Sequence, residues 1–192
     1  MLFGGRAKDP MDVVEQALKE RGWVYDRRDE ETVTTGCHTS RDGKYGIIIR
    51  HEAGRKTILF LFVPMVADDA GEALSGMLSG RMPFFQVHEA VGHTPDQIGD
   101  ACKVLMHMNY RLLLGNLERD HRDGEIRYRI ALPYRDAALT VEQVNWCIDI
   151  GLGTMDDLMP RLRAFLQGEI SLEDAAGIRP GETTGASGGM MV

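Results

Sequence analysis

The chain is expected to fold as an α+β domain, an antiparallel β-sheet packed against helices, and three observations carry that expectation. Segments 45–51 and 56–63 are apolar and rich in isoleucine, phenylalanine and valine, and only residues 52–55 separate them, a spacing of hairpin length. In 125–132 the residues alternate: Ile126, Tyr128, Ile130 and Leu132 share one face, while Glu125, Arg127 and Arg129 share the other. That is the pattern of a sheet with one buried and one wet face. Two capping boxes, beginning at Thr94 and Thr140, mark helix starts between and after the strands.

The elements follow in order. Asp9 caps a first helix with Pro10 at its first position; Val13, Val14, Ala17 and Leu18 recur at helical spacing and Gly22 stops it. Residues 23–25 read as a short strand, and the β-branched run 32–35 as the next. The strand over 56–63 is apolar on both faces, so both must be covered; Phe60 and Phe62 within it are candidate partner contacts. Residues 64–93 look like an insertion or a long loop, with a short helix over 70–78 and an apolar plug at Met82, Pro83, Phe84 and Phe85. A helix over 95–109 then presents Ile98, Ala101, Cys102, Leu105 and Met106 on one face. A strand over 110–118, a turn at 121–124 and the alternating strand complete the sheet. The final helical region starts at Thr140, is interrupted at Gly151 and Gly153, recaps at Thr154, and is kinked by Pro160 before ending at Gly168. Residues 1–8 read as an arm, 9–168 as one domain, and 169–192 as a disordered tail.

Bulk composition narrows the function. With 43% hydrophobic residues the chain can build a sizeable core. A net charge of −7 gives nucleic-acid binding no electrostatic support. Three widely spaced cysteines argue against a disulfide framework and fit a reducing compartment. The longest apolar run falls far short of the roughly 20 residues of a membrane helix, and the first residues lack the apolar core of a signal peptide. A cytoplasmic protein without membrane association is expected.

Residues 108–115 (Met-Asn-Tyr-Arg-Leu-Leu-Leu-Gly), the strand start at 124–129, Ala138, Leu139 and Thr140 at the last helix start, and Pro160 resemble the YbjN family of bacterial proteins. The likeness spans about 9–168 and is best after Thr94. That family is described as sensory-transduction regulators without an assigned reaction. The resemblance implies a fold like that of type III secretion chaperones, in the order α-β-β-β-α-β-β-α, and an interaction role. It implies no catalytic residue.

No residue pattern points firmly to chemistry. His88 and His93 suggest a zinc motif, but they are five apart, about 140° round a helix, where ligation needs four. Cys37 and His38 are adjacent on a strand and therefore point to opposite faces. Cys102 and Cys147 sit on apolar helix faces and read as small hydrophobes. The glycines at 71, 76 and 80 lack the Lys-Ser/Thr ending of a phosphate loop. No catalytic residue, cofactor or metal is expected.

The expected activity is therefore non-enzymatic: a chaperone-like adaptor or regulator that binds a protein or peptide partner. Arg111, Arg127 and Arg129 are candidates for holding a carboxylate-bearing segment, since arginine forks suit carboxylates; balanced by Glu118 and Glu125, they would be an ordinary wet sheet face. Ile98, Cys102, Leu105 and Met106 are the candidate homodimer contacts. The rival expectation is a small-ligand or metal-binding sensor or enzyme, with a site formed by residues 64–93 and His51, His88 and His93.

Overall fold

In the computed structural model, residues 8–41, 43–65, 95–122 and 124–178 are described, with the backbone alone at 95–97. Six strands, β1 (Tyr25–Arg27), β2 (Thr32–His38), β3 (Lys44–Glu52), β4 (Thr57–Pro64), β5 (Asn116–Arg119) and β6 (Ile126–Pro133), form one sheet in the order β1-β2-β3-β4-β6-β5. Every pairing is antiparallel. The fold is α+β, as the patterning indicated.

Register explains which side chains become core. Val33 faces Ile49, Thr35 faces Ile47, Ile49 faces Phe60 and Phe60 faces Ile130. With a period of two, that places Val33, Ile47, Ile49, Ile58, Phe60, Phe62, Ile126, Tyr128 and Ile130 on one face, all fully buried. Helices α1 (Pro10–Glu20) and α3 (Val141–Leu166) pack on this face. The second face of β4 carries Leu59 and Leu61, both half-buried.

α1 starts as its sequence dictates: the Asp9 side chain accepts from Met11 N, with Pro10 at the first position. It buries Met11, Val13, Val14, Ala17 and Leu18. α3 starts at the Thr140 capping box, with Gln143 reciprocating. It differs from the expected interrupted segment: the helix runs without a break through Gly151, Gly153 and Pro160. Its buried residues, from Val144 through Gly151, Met155 and Leu158 to Leu166, keep one helical stripe throughout, and that continuous burial outweighs three poor helix formers. Gly151 is required by packing, because an added Cβ would lie 2.0 Å from the Phe62 ring.

Two further boundaries differ from expectation. α2 (Pro95–Tyr110) takes in Tyr110, and the strand expected over 110–118 is only β5. Residues 111–115 turn the corner, with Gly115 at φ 76° and its Cα so close to β6 that a Cβ would lie 2.6 Å from the Arg129 carbonyl. The Asn109 side chain ties the corner shut: its Nδ2 donates to the Leu117 carbonyl at 3.0 Å and its Oδ1 accepts from Leu117 N at 2.6 Å. Residues 169–178, expected to belong to a tail, are described and folded. A short helix, α4 (Leu172–Ala176), is capped by Ser171 and buries Ala175 and Ala176. Of the insertion or loop expected over 64–93, Pro64 ends β4, and the part from 66 on, with the expected helix over 70–78, lies outside the described residues.

Candidate interaction surface

α2 turns Ala101, Val104, Leu105 and Met108 into the protein, a stripe at helical spacing. The expected dimer residues divide around it. Leu105 is 5% exposed and belongs to the core, so the assignment of this residue to an interface is corrected. Ile98 and Cys102 are half-buried, and Met106 is 72% exposed. Tyr110, which the sequence reading placed in a strand, completes an i, i+4 row with them and is 81% exposed. Leu113, just beyond the helix, is 53% exposed. The row Ile98–Cys102–Met106–Tyr110 is thus an apolar ridge that emerges from the protein along α2.

Phe60 and Phe62 are fully buried under α3 and offer no surface to a partner. The apolar pattern of β4 covers both of its faces and does not say which is inward; the register puts both phenylalanines inward, and their assignment as partner contacts is corrected.

The arginine set also divides. Arg127 and Arg129 do share the exposed sheet face, and Glu118 lies between them. Arg127 Nε donates to Glu118 Oε2 at 3.0 Å and Arg129 Nη1 to Glu118 Oε1 at 3.1 Å. Burial raises the affinity of Glu118 for a proton, but hydrogen bonds from Asn116, Arg129 and Arg127 prevail and hold its carboxyl below the usual range. These two arginines are occupied. Arg111, carried away by the longer α2, meets Arg161 of α3 instead. A Cβ placed on Gly177 would lie 3.0 Å from Arg111 Nη1 and 3.1 Å from Arg161 Nη1, so both guanidinium groups converge at the end of α4. Neither side chain makes a hydrogen bond or ion pair with a described residue.

Beside them is a groove of about 280 Å³ between α3 and the 111–115 corner. Leu112, Ile150 and Leu158 supply its apolar lining, and Asp149 and Asp157 its acidic margin. Arg21 pairs with Asp149 at 2.7 Å and Arg41 pairs with Asp157. Trp146, one turn before Ile150, is half exposed. Sequence reasoning missed Arg161, Trp146 and Tyr110. Only Tyr110 left a local signal, its place four residues after Met106.

The remaining candidates have structural settings. Cys37 lies opposite Tyr45 in the sheet, and burial, reinforced by the Asp156 charge, pushes its thiol up to about 12. Burial pushes Cys147 up to about 11. Neither is a ready thiolate at neutral pH. The Tyr45 hydroxyl and the Thr39 hydroxyl each donate to Asp156 at 2.9 Å, which ties the β2–β3 hairpin to α3. His51 shares a hydrogen bond with the Tyr134 hydroxyl at 2.7 Å. His88, His93 and the glycines at 71, 76 and 80 lie outside the described residues. Among the described residues no three His, Cys, Asp or Glu side chains converge as a metal site, and no helix is long and apolar enough to cross a membrane.

No family model matches the chain, and no curated protein matches it. Among solved structures, a chain of the HopA1–SchA chaperone–effector complex is similar over 80% of this chain and 91% of its own, with 10% identity and a TM-score of 0.38. A chain of the ExsC–ExsE complex is similar over 83% of this chain and 90% of its own, with 14% identity and a TM-score of 0.40.

Proposed function

We propose that the chain is a non-enzymatic protein-interaction module, a YbjN-like, chaperone-like adaptor or regulator that works in the cytoplasm as a homodimer and binds a protein or peptide partner. One observation carries the reading: the apolar ridge Ile98–Cys102–Met106–Tyr110, whose last two members are 72% and 81% exposed. Rows of residues four apart are the ridges that interdigitate when helices pack against each other. Methionine adapts to irregular surfaces, and tyrosine brings apolar area with a polar tip, a combination suited to interfaces. Isolated exposed apolar residues are ordinary; four apolar residues in register along one helix, two of them well exposed, support a contact surface.

The test is affinity purification of the tagged full chain from its native cells, beside a Met106→Asp/Tyr110→Asp variant. A stoichiometric protein recovered with the wild type and lost with the variant is the expected result. Equal recovery with both, or none with either, would remove the ridge from the function.

A further inference from the structure

Among the described residues, Arg111 and Arg161 converge without an acid paired to either. Two guanidinium groups brought together repel, and in a chain with net charge −7 carboxylates are plentiful enough to have paired them. Several other arginines are paired: Arg21 with Asp149, Arg27 with Glu15, Arg41 with Asp157, and Arg127 and Arg129 with Glu118. At the end of α4 the Asp174 and Glu173 carbonyls accept from Gly177 N and Ile178 N at 3.1 and 2.8 Å. Arg111 directly precedes Leu112 of the groove, and Arg161 follows Ile150, Thr154 and Leu158 on the same side of α3. Positive charge that no described residue pairs therefore adjoins an apolar cleft.

We propose that this groove binds an acidic, apolar polypeptide segment, one large apolar side chain seating among Leu112, Ile150 and Leu158 and one carboxylate bridging Arg111 and Arg161. The proposal rests on the reading of the chain as an interaction module and names the chemistry of its partner. Arginine forks match carboxylates in shape and charge. At about 280 Å³ the groove lies just under the usual range for small-molecule pockets and suits a side chain or two. The acids at its margin do not oppose the partner strongly, since Asp149 and Asp157 each carry an arginine of their own.

The full chain, labelled with nitrogen-15, is titrated with short peptides that carry one leucine and one glutamate at every spacing, with their glutamine counterparts, and with inorganic phosphate. The Nε–Hε signals of Arg111 and Arg161 and the amides of Leu112, Ile150 and Leu158 report binding. At the best spacing, both arginine signals and the groove amides shift together, and the glutamine peptide binds about tenfold or more weakly, the loss expected for a charge-assisted pair. An Arg111→Gln/Arg161→Gln variant, checked for an unchanged unfolding temperature, binds both peptides alike, while an Arg111→Lys/Arg161→Lys variant recovers part of the difference. No response at any spacing, equal affinity for glutamate and glutamine peptides, or phosphate alone matching the peptide would overturn the proposal. The Met106→Asp/Tyr110→Asp variant separates the two readings: peptide binding that survives in it stands apart from the ridge, and a partner held through the ridge without any peptide response refutes the groove alone.

Discussion

At Gly151, α3 passes directly over the ring of Phe62, with no room for a methyl group between helix and sheet. A Gly151→Ala chain gains helix propensity, yet it must push helix from sheet at the centre of the core. We predict a net loss of about 1–3 kcal/mol in denaturant unfolding; equal or greater stability would show that α3 can shift freely. Glu118 makes the corresponding electrostatic case on the exposed face. Its carboxyl is held below the ordinary glutamate value of 4.5, so its pairing with Arg127 and Arg129 stabilises the fold above that pH and is lost as the pH falls through the lowered folded-state value. A Glu118→Gln chain should be less stable than wild type at neutral pH, by no more than about 1 kcal/mol for a partly exposed network. The gap should close on acidification; a gap that is constant with pH would contradict this. Alternation in the sequence placed Arg127 and Arg129 on one face correctly. It could not place Arg111, because that depended on where α2 ends, nor pair it with Arg161, fifty residues away in sequence.

Among the elements, helix starts and the glycine stops at Gly22 and Gly168 were readable, while the continuity of a helix between them was not. Asp9 and Thr140 begin helices where their side chains predict, because a cap is a local hydrogen bond that the sequence alone specifies. Thr140→Ala should cost about 1 kcal/mol, seen as a lower urea midpoint with unchanged slope; no change would mean that the packing of Val144 and Ile148 fixes the start unaided. Helix continuation depends on burial instead. Gly153 and Pro160 weaken α3 locally, but buried Met155, Leu158, Met159 and Leu162 surround them and hold the helix together. The same contrast explains α2, which takes in Tyr110, and α4, which has a Ser171 cap and an acidic first turn and buries Ala175 and Ala176. The five-residue length of α4 gave periodicity too little to register.

At the scale of the molecule, the described residues form a six-stranded sheet with one face closed by α1 and α3 and with α2 set beside β5. Antiparallel pairing and the inward face were legible because a two-residue period fixes them together. The ridge along α2 was half legible: Ile98, Cys102 and Met106 came from helical spacing, but the same spacing also drew in Leu105, whose place in the core depends on how α2 is rotated against its neighbours. The central claim concerns what the exposed end of that ridge does. The most direct measurement is the native mass of the full chain at several concentrations, wild type beside Met106→Asp/Tyr110→Asp, with circular dichroism to confirm that both are folded. A wild-type dimer and a folded monomeric variant are the predicted result. A wild-type chain that stays monomeric at every concentration, or a variant that dimerises equally well, would contradict it.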